Sequence, residues 1–212
     1  MNKNNELVIL LHGLALSSFT MRYLELGLAR EGYETCNMDY PSRDHDIESL
    51  VTFVKEHLLK LDIAQYDKVY ILGHSLGGVI GRCIAIEMGD EIEGCIALGS
   101  PNNGSSLAQW MVKSYMIRRY FGPVMFDLLP RSSFLSKMTL LPKNYSVIVG
   151  TRSKWTLFGW FFEEVSDGTV SVSEVVPEKI DLEDVCYFDV SHASMLMSSD
   201  VRDEVLKRLD GW

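Results

Sequence analysis

Ser75 stands at the centre of Gly73-His74-Ser75-Leu76-Gly77. The apolar run Lys68 to Leu72 precedes it and the run Gly78 to Ala85 follows. A strand therefore passes through a tight turn into a helix, with the serine at the apex. Glycines two residues before and two after leave room where strand and helix come closest. Such a turn lifts a hydroxyl out at the carboxyl end of a sheet and leaves backbone N–H groups open at a helix N-terminus. That setting suits nucleophilic attack on a carbonyl.

A serine hydroxyl is a weak nucleophile near neutral pH and needs a base, which in turn needs an orienting anion. The chain has five histidines. His74 adjoins the serine but points away from its hydroxyl in such a turn. His57 lies in an amphipathic helix, His45 in an acidic loop, and His12 at the end of the first strand. His192 alone follows a late strand on the edge where Ser75 emerges, so it is the expected base. Asp167, in Ser166-Asp167-Gly168-Thr169-Val170, is the expected acid; on its own it would read as an ordinary Asp-Gly turn. Asp189 is nearer to His192 in sequence, but on a strand it would point away. For the oxyanion of a tetrahedral intermediate, two amides are expected: the N–H of Leu76, which follows the nucleophile, and the N–H of Leu14, after His12-Gly13.

These residues need a sheet whose strand ends share one edge. Buried-strand text runs over 7–11, 34–38, 68–72, 94–98, 145–150 and 185–190. Helical spacing fills the gaps. Ser17 or Ser18 starts a helix to about Arg30, with Met21, Leu24, Leu28 and Ala29 on one face. Asp46 caps another in which Ile47, Leu50, Val51, Val54, Leu58 and Leu61 recur. A last helix runs from about Asp200 to Leu209. Alternating strands and helices predict an α/β fold: a mostly parallel sheet of about six strands with helices on both faces. Right-handed crossovers put all strand carboxyl ends on one edge.

The alternation breaks at Ser100-Pro101-Asn102-Asn103-Gly104. From Ser105 to Leu141 the text is helical and rich in Met, Tyr and Phe. It reads as an inserted helical cap, residues 105–141, within a single domain spanning 1–212. A second aromatic run, Trp155 to Phe162, precedes Asp167. Both should overhang the Ser75 edge, and Trp110, Met111, Trp155 and Phe158 are the expected substrate-binding residues. Lys113, Arg118 and Arg119 would meet anionic headgroups if the cap faces lipid; a solvated helix face is the simpler account.

Taken in order, Leu11-His12-Gly13-Leu14, Gly73 to Gly78, Gly99-Ser100-Pro101-Asn102-Asn103-Gly104-Ser105, Ser166 to Val170, and Ser191-His192-Ala193-Ser194-Met195-Leu196 resemble the α/β-hydrolase superfamily. More narrowly they resemble its small bacterial lipase/esterase branch, which is also similar to the deacylase that trims the inositol acyl chain of GPI anchors. The resemblance spans nearly the whole chain. It implies Ser75 as nucleophile, Asp167 as acid and His192 as base. The chain departs from larger relatives in lacking extra N-terminal antiparallel strands, and the cap matches no quotable pattern.

The 212 residues carry a net charge of −9 with scattered Lys and Arg, which argues against nucleic acid as a partner. None of the four cysteines forms a CxxC pair, and buried free thiols in a reducing, cytoplasmic setting are expected. No His/Cys group has zinc spacing, and the chemistry needs neither metal nor organic cofactor. The run from Leu7 to Leu16 superficially resembles a signal peptide. A buried strand is the preferred reading, because cleavage there would remove the Leu14 amide. The expected activity is carboxylic ester hydrolysis through an acyl-enzyme. Its rivals are another acyl transfer on the same residues (thioesterase, amidase or acyltransferase) and, from a different class, a noncatalytic binding module on the same fold. The expected partners are a small-molecule ester or lipid and, transiently, a membrane surface; the oligomeric state is left open.

Overall fold

The computed structural model describes residues 3, 5–154 and 156–212. Its frame is a six-stranded sheet: β1 (Glu6–Leu11), β2 (Glu34–Met38), β3 (Lys68–His74), β4 (Gly94–Leu98), β5 (Tyr145–Gly150) and β6 (Val185–Phe188). The strands lie in the order β2-β1-β3-β4-β5-β6, and every pairing is parallel. The apolar runs of the sequence have a direct cause, since both faces of the sheet are covered. In β1, Leu7, Ile9 and Leu11 enter one core, and Val8 and Leu10 the other. In β3, Val69 and Ile71 alternate in the same way with Tyr70 and Leu72.

The helices divide accordingly. One face carries α1 (Arg22–Arg30), preceded by a tight 3₁₀ turn over Ser18–Met21, and the C-terminal helix Ser199–Gly211. The other carries α2 (Ile47–Lys60) and α3 (Leu76–Met88). Asp46 caps α2 through Ser49 N–H, and Ile47, Leu50, Val51, Val54 and Leu58 are buried. Three details differ from the sequence reading. Leu61 lies beyond the end of α2 and is exposed. Ala29 is exposed and Gly27 is buried in its place, because Arg202 of the last helix crosses the helix at that glycine. Neither Ser17 nor Ser18 caps α1 with its side chain.

Between β4 and β5 the chain forms four short helices: α4 (Ser106–Met111), α5 (Tyr115–Phe121), α6 (Val124–Asp127) and α7 (Ser133–Lys137). One more, α8 (Val172–Val175), follows Asp167, so Ser199–Gly211 is α9. The segment returning from α7 is held by a buried cation. Arg82 of α3 donates to the carbonyls of Met138 (2.9 Å) and Leu140 (2.7 Å) and to Asn102 Oδ1 (3.4 Å). Cys83 and Cys95 are buried, Cys36 and Cys186 half-buried, and all four are free thiols. Among the described residues no helix is long and apolar enough to cross a membrane.

Candidate active site

Ser75 sits between the last residue of β3 and the first of α3, with φ 55° and ψ −121°. A non-glycine residue held there costs about 1–3 kcal/mol. The surroundings impose it: Ser75 N–H donates to the Leu98 carbonyl (2.9 Å), and the Ser75 carbonyl accepts from Gly78 N–H (3.1 Å). The flanking glycines are steric requirements. A Cβ on Gly73 would stand 2.3 Å from the Gly77 carbonyl oxygen, and one on Gly77 would stand 2.2 Å from that of Leu11.

Asp167 and His192 meet although 25 residues separate them. His192 Nδ1 lies 2.6 Å from Asp167 Oδ2, and His192 N–H donates to the Asp167 carbonyl (3.0 Å). The other carboxylate oxygen accepts from Thr169 N–H (2.9 Å) and Val170 N–H (2.8 Å). Those donors come from the turn that Gly168 makes at φ 90°. Asp167 is almost fully buried, and its bond fixes the proton on Nδ1, leaving Nε2 of His192 as the basic nitrogen. Asp189, the alternative acid, instead forms an exposed pair with Arg152 (2.9 Å). Gly99, just after β4, makes space for this pair; a Cβ there would lie 3.0 Å from Asp167 Oδ2 and 3.2 Å from His192 Nδ1. Sequence reasoning missed that role, since only the fold brings the end of β4 against residues 167 and 192.

The loop after β1 is braced from behind. His12 is buried and stacks on Tyr40 at 4.2 Å between ring centres, and Tyr40 Oη donates to the His12 carbonyl (2.5 Å). Burial lowers the pKa of His12, so the ring is neutral, with Nδ1 directed at the Gly13 carbonyl (2.8 Å). Leu16 N–H donates to the same carbonyl (3.2 Å). Because a trans peptide points its C=O and N–H in opposite directions, fixing the Gly13 carbonyl turns the Leu14 N–H the other way. Among the described residues neither the Leu14 nor the Leu76 N–H donates to a protein acceptor.

His74 stands between these parts. Its Nε2 lies 3.0 Å from the His192 carbonyl, and its ring centre lies 4.6 Å from that of His192. Its Nδ1 is buried without a partner on the side facing Gly13. Burial, with His192 next, drives the His74 pKa well below 6.5.

Ser75, His192, Gly13 and Leu14 share the wall of a cavity of about 620 Å³, a size typical of small-molecule sites. The rest of the lining is largely apolar and includes Leu107, Ala108, Met111, Phe121, Met125, Leu128, Phe158 and Val170. Of the four expected substrate residues, Met111 and Phe158 line it. Trp110 does not. It sits on the outer side of α4 and packs edge-on against Trp160 at 6.3 Å, since Leu107, Ala108 and Met111 already form the helix's inward face. Trp155 lies outside the described residues. Leu16, Phe19 and Met197, which sequence reasoning did not single out, line the cavity from its other side. Among the described residues no group of His, Cys, Asp and Glu is arranged to hold a metal ion.

No curated protein matches the chain. Among solved structures it is similar to a mature lipase of Bacillus licheniformis, with a TM-score of 0.70 and 19% identity over 97% of this chain and 92% of that one. It is also similar to a carboxyl esterase of metagenomic origin (TM-score 0.75, 16% identity, 98% of this chain and 75% of that one). A phospholipase of Legionella pneumophila (PlaB) matches 81% of this chain with a TM-score of 0.65 and 18% identity, but the match spans only 45% of that protein. At such identities the likeness is one of fold. The family model described as "Alpha/beta hydrolase family" matches residues 8–204, a stretch that holds the sheet, the Ser75 turn and the Asp167–His192 pair together, and the chain belongs to that family.

Proposed function

We propose that the protein is a serine hydrolase that cleaves carboxylic esters through a covalent acyl-enzyme. The observation that carries this reading is the buried Asp167–His192 pair opening onto the same apolar cavity as the strained Ser75. His192 Nε2 takes the Ser75 proton as Oγ attacks the ester carbonyl. The resulting oxyanion is held by the N–H groups of Leu76 and Leu14, each worth about 3–4 kcal/mol in comparable sites. Collapse expels the alcohol, which receives its proton from His192. Water then gives a proton to the same imidazole, attacks the acyl-serine and releases the acid, restoring Ser75. Ser75 Oγ has no hydrogen bond to the described residues; such contacts commonly tighten only when substrate is bound.

The lining favours an acyl group over a charged or sugar-like one, because the wall offers few polar partners. Treatment with a fluorophosphonate probe, followed by a series of p-nitrophenyl esters of rising acyl length, tests the reading. The native protein should be labelled and should turn over medium-chain esters, and Ser75→Ala should lose both properties. A folded protein that resists labelling would point to a binding module. Turnover that peaks at acetate and collapses by octanoate would exclude a long-acyl pocket.

A further inference from the structure

The outer side of the cap departs from the rest of the chain in two respects at once. The protein has 29 acidic and 20 basic residues, yet from Gly94 to Phe126 no aspartate or glutamate occurs. Lys113, Arg118 and Arg119 fall in that stretch. The first and last are exposed and Arg118 is half-buried, and among the described residues none of the three joins an ion pair. Tyr115 (67% exposed) and Met116 (74% exposed) stand between them, Tyr120 follows, and Trp110 comes just before. The Arg118 guanidinium lies 5.9 Å from the Tyr115 ring centre. The adjoining acids are Asp44 and Asp46 of the loop before α2, where Arg43 covers the Tyr120 ring at 5.1 Å and Asp46 is engaged as a helix cap, and Glu163 and Glu164, which follow the aromatic run packed on Trp110. Met111 and Phe121 of the same stretch turn inward to the cavity wall beside Ser75. The basic and aromatic face is therefore the outside of the wall whose inside faces the nucleophile.

We propose that this face docks on a membrane whose surface is anionic, presenting the cavity to acyl lipids. Exposed Tyr, Trp and Met suit the boundary between headgroups and acyl chains. Cations beside them gain from a negative surface potential. A chain with net charge −9 is repelled by that surface in most orientations, so a face whose own stretch carries cations and no carboxylate favours one orientation. The docking rests on the ester-hydrolase reading for its purpose, but it does not require Ser75 to react.

Co-sedimentation with vesicles of phosphatidylcholine, alone or with added phosphatidylglycerol, tests the proposal. The protein and its Ser75→Ala variant should bind only the phosphatidylglycerol vesicles, and raised salt should weaken binding. The double variant Arg118→Ser/Arg119→Ser should partition roughly tenfold to thirtyfold less. Tyr115→Ser/Met116→Ser should also bind less, with its salt dependence retained. Both double variants should keep native melting behaviour and native turnover of a short water-soluble ester. Equal binding to the two vesicle types, no binding to either, or full binding by the arginine variant would overturn the proposal. So would self-association that Tyr115→Ser/Met116→Ser abolishes in the absence of vesicle selectivity. Loss of ester turnover with selective vesicle binding intact would instead overturn the catalytic reading and leave the docking standing.

Discussion

Asp167 has no freedom to be merely near His192: two backbone N–H groups hold one carboxylate oxygen and the imidazole holds the other. Asp167→Asn should keep the fold and lower kcat by about 10⁴-fold, as in comparable hydrolytic sites where the amide fixes the wrong imidazole tautomer; steady-state kinetics on an activated ester reads this directly. His74 makes a different prediction. Unfolded, its imidazole takes up a proton near the ordinary value of 6.5; folded, it does so only well below that. The folded state thus binds fewer protons in that window. Stability present above pH 6.5 is lost as pH falls through the folded pKa. Melting curves from pH 8 to pH 5 should show Tm falling, and His74→Asn should flatten the fall while lowering Tm at pH 8. Ser75, Asp167 and His192 were legible as residues because each carries its own local signal, a glycine-flanked apex, an Asp-Gly turn and a histidine after a strand. Gly99 was not, because a missing side chain has meaning only once the pair it accommodates is packed against it.

Among the elements, the strands were the easiest to read and the cap the hardest. A strand covered on both faces must be apolar throughout, so β1 and β3 announce themselves in the sequence. The cap was legible as helical text, but each of its helices has two turns or fewer, too short for periodicity to decide which side faces in. That is why Trp110 was expected in the cavity and Leu107 and Ala108 were not. What fixes the cap's return is Arg82, which among the described residues has no carboxylate partner and satisfies its charge with main-chain carbonyls of Met138 and Leu140. Arg82→Ala removes a charged donor from those carbonyls, at a cost of about 2 kcal/mol. For a chain of this size that corresponds to a Tm lower by roughly 4–8 °C. Labelling of Ser75 by a small fluorophosphonate should survive the change, since Arg82 does not line the cavity.

At the scale of the whole molecule, Ser75, Asp167 and His192 come from the turn after β3, the long loop after β5, and the turn after β6. The sheet order gathers what the chain order scatters. That order was legible as a class, because alternating strands and helices with right-handed crossovers leave few arrangements; the cavity was not, because it is assembled from short helices and loops that share no pattern.

The site's reliance on β6 has a consequence for how the protein fails. β6 has four residues, among the described residues pairs only with β5, and lies at the edge of the sheet, and His192 hangs four residues beyond its end. Edge segments of this kind open in small cooperative units at less free energy than the whole fold. Under mild urea His192 should leave Ser75 while the central strands are still intact. Hydrolysis should then fade at a lower urea concentration than far-ultraviolet ellipticity, and hydrogen exchange should be faster at Cys186 and Tyr187 than at Ile71 and Leu72. Coincident midpoints would mean that the edge strand and the central sheet unfold as one unit.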